Sequence, residues 1–243
     1  MYDLANIIMT QNVGLLWKIL KEDLPFMKQD HTGWTPMHAA AFHDEYIIGN
    51  LLEKRGCSLT SFNDVGDTPM HIAAAFANKQ RSVNFLGANL SPSLLCVRTN
   101  DEFGSTPLHY AGNRGNLKAL RILVDAGVDP HIKDHYGFTV MHSAVIGRDQ
   151  PRMIYELAMR GVPVHDVENK AEESALELAV ENGFWGSAKT LIDMGAYSRN
   201  IDQKWLKFIN LPNAVGWSSV LPVRRPALRI NKPLDTGVMS SWH

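Results

Sequence analysis

The chain has 243 residues, 45% of them apolar and 20% charged, with a mean hydropathy of −0.16. That supply of apolar side chains fills a continuous core and excludes a disordered chain. Its 24 basic and 25 acidic residues leave a net charge of −1, without the basic surplus of a phosphate-backbone binder, so nucleic acid is not an expected partner. Cys57 and Cys96 stand outside any CxxC or zinc spacing. A disulfide between them and two reduced thiols both fit the count, and reduced thiols suit a cytosolic protein. No apolar run approaches a membrane span, and a membrane is not an expected partner either.

The first stretch, MYDLANIIMTQNVGLLWKIL, has helical apolar spacing and an early Asp3 rather than the basic start of a leader. LANIIMTQN and VGLLWKIL read as two helices of a half unit ending near Pro25. After it, one text recurs: GWTPMHAAA from Gly33, GDTPMHIAA from Gly66, GSTPLHYAG from Gly104 and GFTVMHSAV from Gly137. Its threonines, Thr35, Thr68, Thr106 and Thr139, recur every 33, 38 and 33 residues, and Ser174 of ESALELAV follows after 35. A period of this size predicts stacked supersecondary units rather than a globular core.

Each unit opens with Asp or Asn, two variable residues and Gly: DHTG at Asp30, NDVG at Asn63, DEFG at Asp101, DHYG at Asp134. That is turn chemistry, with Gly supplying positive φ at a hairpin tip. Thr then caps a helix and Pro begins it. A second helix follows, YIIGNLLEKRG in the first unit and LKALRILVDAG in the third, each stopped by glycine. The second unit is five residues too long. The excess falls in Leu86–Asn100, where Pro92 and its serines predict a loop and Leu94, Leu95, Cys96 and Val97 predict partial folding back onto the stack. A functional loop and a tolerated length change are equally compatible with it. In the fourth unit Val140 replaces proline, and Pro151 is expected to start the second helix. The fifth carries Glu172 at the tip glycine and Glu177 at the histidine, and reads as a last unit serving partly as a cap.

TPMH, TPMH and TPLH in this register resemble ankyrin repeats, over about residues 3–200. The resemblance implies an all-α solenoid of helix-turn-helix units with hairpin tips. It divides the chain into a half repeat 1–29 and repeats 30–62, 63–100, 101–133, 134–168 and 169–200, followed by a mostly non-helical extension 201–243. It also implies a non-enzymatic protein-binding module whose tips and first helices line a concave groove. Read in that register, the groove presents Trp34, Phe42, His43, Phe62, Phe76, Phe103, Arg114, Tyr136 and Phe138, with Asp64, Asp67 and Glu102 as an acidic fringe. Aromatic residues and Arg dominate interface hot spots, and these are expected to stand exposed.

The chemistry of enzymes is missing: no GxSxG, Walker motif, GxGxxG or HExxH, and no catalytic residue or cofactor is expected. The column His38, His71, His109 and His142 invites a metal. Stacked helices, however, hold equivalent residues about 8–10 Å apart, while zinc draws its nitrogens to about 2 Å. The column is therefore expected to be structural, and no metal is expected.

In residues 201–243 Lys204, Lys207, Arg224, Arg225, Arg229 and Lys232 face only Asp202 and Asp235, a surplus of +4, with Trp205, Trp217 and Trp242 among four prolines. Packing on the stack, binding an acidic partner and disorder are all open readings, with packing favoured by the tryptophans. The leading expectation is a cytoplasmic monomer binding a protein or peptide in its groove, either open or strapped by its own extension. The alternative is an effector or inhibitor acting through its basic extension on a cellular enzyme, in the host cytosol if it is secreted by a bacterium or virus.

Overall fold

The computed structural model describes residues 29–30, 32–164 and 169–197. The expected half repeat before Gln29, His31 and the extension from residue 201 lie outside the described residues. Every regular element among the described residues is a helix: α1 Pro36–Phe42, α2 Tyr46–Lys54, α3 Pro69–Phe76, α4 Arg81–Asn89, α5 Pro92–Leu95, α6 Pro107–Arg114, α7 Leu117–Asp125, α8 Val140–Gly147, α9 Pro151–Met159, α10 Ala175–Glu181 and α11 Trp185–Asp193.

The helices form two layers. Inner helices α1, α3, α6, α8 and α10 pack in succession, and each lies against its outer partner. The inner layer is built on small residues, with Ala39, Ala40, Ala73, Ala74, Ala111 and Ala144 fully buried. A β-carbon on Gly112 would come within 2.8 Å of the Val140 side chain on the next helix, so α6 and α8 meet almost backbone to backbone there. The outer layer uses larger side chains: Leu52, Leu86, Leu120, Leu123, Ile154, Leu157 and Leu191 are all buried. Amphipathic helices of only two or three turns are marginal alone, and here each is stabilised by burying one face on the neighbouring unit.

The threonine and histidine of the repeated text hold both the helix and the stack. In α1, α3, α6 and α8 the threonine N–H donates to the histidine Nδ1 at 3.1, 3.1, 3.2 and 3.1 Å. The threonine hydroxyl lies 2.7, 2.8, 2.8 and 2.9 Å from the same nitrogen. A backbone N–H only donates, so Nδ1 is the bare acceptor and the ring proton sits on Nε2. His38, His71 and His109 then donate from Nε2 to the carbonyls of Asp67, Ser105 and Phe138 in the following units, at 3.0, 3.0 and 2.9 Å. The cap of one helix is thereby the clasp to the next.

The fifth unit varies this device. Ser174 donates its N–H to the Glu177 carboxylate at 2.6 Å and its hydroxyl at 2.9 Å. A carboxylate reproduces the acceptor half of imidazole but has no second proton to pass forward. Glu172 holds φ +61°, the left-handed backbone that Gly33, Gly66, Gly104 and Gly137 supply at the other tips.

Two sequence expectations are corrected. Leu86 belongs to α4, which continues to Asn89, so the extra residues begin at Leu90. They form the short helix α5 rather than a loop: Leu95 is buried while Leu94 is exposed. The third tip is also wider than its Asp101 suggests. It closes from the Thr99 N–H to the Ser105 carbonyl, whereas the neighbouring tips close Asn63 to Asp67 and Asp134 to Phe138. Pro151 does begin α9. Both thiols are free, and burial pushes each above its usual pKa.

Burial lowers His38, His71 and His109 from 6.5 to about 4. The folded state thus favours neutral rings, and this stability is present above pH 6.5 and is lost as pH falls through 4. Burial raises Asp67 to about 6, which acts oppositely: its contribution is present below the unfolded value of 3.8 and is lost as pH rises through 6. Three histidines outweigh one carboxylate, so thermal melts followed by circular dichroism should show stability falling between pH 6.5 and 4. The slope should reach up to about 3 kcal/mol per pH unit, at about 1.4 kcal/mol per net proton.

Candidate functional site

The inner helices end on one side of the stack, and their last residues meet there. Trp34 and Phe42 lie 6.0 Å apart edge to face, and Phe42 and Phe76 5.2 Å apart. The Arg114 guanidinium covers the Phe76 ring at 4.8 Å, within cation–π range. His43 packs its ring edgewise on Phe42 at 5.1 Å. Five of the twelve expected groove residues, Trp34, Phe42, His43, Phe76 and Arg114, are therefore brought into one ridge. Each is half-buried rather than exposed, because the rings also lie on the alanine layer beneath them.

The ridge borders a cleft of about 610 Å³, lined by Phe42, His43, Phe76 and Arg114 together with Lys79, Arg81 and Arg148. Asp44 and Glu45 are its acidic residues. Asp44 is buried and holds the entry to α4, accepting from the N–H groups of Lys79 at 2.6 Å and Ser82 at 2.7 Å. Burial and the neighbouring Arg148 lower the Arg114 pKa, and burial lowers that of His43. The Arg114 Nε and His43 Nε2 atoms are buried without a hydrogen-bond partner among the described residues.

The other seven expected residues divide differently. Phe103 and Tyr136 pair on successive tips at 5.5 Å, both half-buried. Phe62 is half-buried and lends its carbonyl to the Gln29 side chain. Asp64 and Glu102 are exposed on the tips. Two are not surface residues at all. Asp67 is 3% and Phe138 4% exposed. Both occupy the position just before the capping threonine, whose carbonyl receives the histidine of the preceding unit. In these two units that position faces into the stack, whereas Trp34 and Ser105 at the same position are half-buried. Asp67 accepts from the Tyr110 hydroxyl, and Phe138 lies edgewise on the His142 ring at 5.6 Å. The register alone carried this signal.

Sequence reasoning missed Lys79, Arg81 and Arg148. Lys79 and Arg148 lie in the turns between inner and outer helices and Arg81 opens α4, beside the helix-end positions that the register singled out. Among the described residues no cluster of His, Cys, Asp and Glu could hold a metal, and no helix is long and apolar enough to cross a membrane.

The profile described as ankyrin repeats (3 copies) matches residues 87–162. The ankyrin repeat domain of Bcl-3, a solved structure, superposes with a TM-score of 0.66 at 22% identity, covering 82% of this chain and 88% of that one. This is an ankyrin-repeat protein. Among curated relatives, the B-cell lymphoma 3 protein homolog of Mus musculus is 26% identical over 208 residues, 82% of this chain and 44% of that protein. The transient receptor potential cation channel subfamily A member 1 homolog of Caenorhabditis elegans is 32% identical over 111 residues, 46% of this chain and 9% of the channel protein. The ankyrin chain spans less than half the length of these two relatives. Ankyrin repeats mediate protein–protein interaction and are typically not enzymes.

Asp67→Asn provides a check on the inward position. Because burial holds this carboxyl near its protonated form, the variant should melt with wild type at pH 4. At pH 8, where the native carboxylate is charged inside the stack, it should be more stable by up to about 3 kcal/mol. Equal melting temperatures at both pH values count against a buried carboxyl.

Proposed function

We propose that this ankyrin-repeat protein is a non-enzymatic, cytoplasmic interaction module, monomeric on its own, that binds a partner protein or peptide along its inner-helix groove. Residues 1–200 form the repeat domain and 201–243 an extension. The ridge Trp34–Phe42–Phe76, with Arg114 laid across its end, carries this reading. Interface anchors are enriched in Trp and Arg, and they work best half-desolvated in a rigid setting. Rings seated on a close-packed alanine layer bring little ordering cost to an association. The tip residues Phe103, Tyr136, Asp64 and Glu102 extend the same face.

Capture from lysate with the intact chain, beside Trp34→Ala/Phe76→Ala and the gentler Phe76→Leu, tests it. The double variant should lose the partner by at least about tenfold, equivalent to about 1.4 kcal/mol. Its melting temperature should fall but its helical spectrum persist, since truncating half-buried rings costs less than emptying a core. Phe76→Leu keeps the apolar volume and should weaken the partner less. Full retention by a folded double variant moves the interaction off this face and into the extension.

A further inference from the structure

The groove expected from sequence had an acidic fringe. The cleft found beside the aromatic ridge has the opposite sign. Lys79, Arg81, Arg114 and Arg148 converge on it, in a chain whose net charge is −1. Asp44 accepts on both carboxylate oxygens, from the Lys79 N–H just before α4 and the Ser82 N–H within it, so Glu45 is the remaining acidic group at the rim.

Two arginines of the outer layer are paired with carboxylates. Arg121 binds Glu156 through two nitrogens at 2.8 Å each, and Arg160 reaches Asp125 at 3.0 Å and Glu156 at 3.1 Å. None of the four cleft cations forms an ion pair among the described residues, and Arg114 buries its Nε without an acceptor. A guanidinium set over a phenyl ring at 4.8 Å, with no carboxylate bound to it among the described residues, keeps the fork of donors that takes a carboxylate.

We propose that this cleft docks an acidic peptide segment of the partner, with a carboxylate on Arg114 and Arg148 and an apolar or aromatic side chain on Phe42 and Phe76. The proposal rests on the interaction-module reading and gives it a ligand class. Charge selects the occupant. The chain's own extension carries a surplus of +4, so the cleft repels it and attracts a negative segment. A nucleic acid fits less well, because the cations gather in one cleft rather than along a stripe, and the rest of the chain brings no surplus.

The test uses the full chain, isotope-labelled, titrated with acetyl-Glu-Glu-Phe-Glu-Glu-amide and watched by NMR. Signals of Ala75, Phe76, Arg114 and Arg148 should shift, including the arginine Nε–H groups. Raising salt from about 0.05 to about 0.5 M should weaken binding several-fold. Arg114→Glu/Arg148→Glu should weaken it at least about tenfold, and Arg114→Gln/Arg148→Gln serves where charge reversal disturbs the fold. Several results overturn the proposal: no shifts at millimolar peptide, equal shifts with the Lys-Lys-Phe-Lys-Lys counterpart, or tighter binding of a dT oligonucleotide at the same residues. Tryptophan indole signals of Trp205, Trp217 or Trp242 that move in the peptide-free charge variant give the cleft to the chain's own extension. Shifts of the cleft residues on dilution give it to a second copy. A partner that needs Trp34 and Phe76 but ignores Arg114→Glu/Arg148→Glu keeps the interaction module and rejects the acidic ligand.

Discussion

One imidazole caps the inner helix in each of the first four complete units and in three of them also fastens the next unit, and the stack depends on the two roles being inseparable. Nδ1 takes the N–H of the capping threonine, which starts the inner helix. In the first three of these units Nε2 then donates to the carbonyl before the next threonine. Because a neutral imidazole has one donor and one acceptor, accepting within the unit forces donating to the next. No other uncharged side chain offers both at opposite edges of a rigid ring. A helix too short to persist alone is therefore capped by the same group that fastens it to its neighbour, and local order and stacking form together.

The consequences spread outward. The carbonyls of Asp67 and Phe138 receive these bonds and both residues are buried in the stack, while Ser105 in the same place is half-buried. The close approach needed to reach that carbonyl explains the alanines of the inner layer and Gly112, whose missing β-carbon leaves room for Val140. Glu177 shows the rule from the other side: it keeps the cap but gives up the forward donor, which suits a unit placed late in the stack.

The architecture was legible because the signals were local and repeated. Thr-Pro caps, tip glycines and the 33-residue interval each name their own element, and Pro151 marked its helix without help from the motif. Burial was less legible. Phe138 looked like Tyr136 two residues earlier, yet one lies inside and the other half outside. That difference comes from which side of an extended tip faces the next unit, a relation across 30 or so residues rather than within a window. The insertion was legible in part: proline and serines spoke for a loop where the short helix α5 forms, while the expected folding back onto the stack is met by buried Leu95. For the candidate site, the helix-end residues Phe42, His43, Phe76 and Arg114 followed from the register. The cations around them did not, because Lys79 and Arg148 come from turns and Arg81 from the start of an outer helix, with no repeated text.

The basic character of the cleft has a structural origin that does not require selection for charge at every position. The outer helices need acceptors at their N-termini, and acidic residues in the inner turns supply them: Asp44 caps α4 from the preceding unit, and Asp149 does so for α11 through the N–H groups of Gly186 and Ser187. A carboxylate committed to a helix N-terminus no longer balances a nearby guanidinium at close range. The turns thus commit part of their negative charge to helix N-termini, while Lys79, Arg81, Arg114 and Arg148 line the cleft. A surface built this way keeps its histidine clasps and its recognition groups on separate atoms. The cleft can therefore diverge in charge while the stack that carries it stays the same.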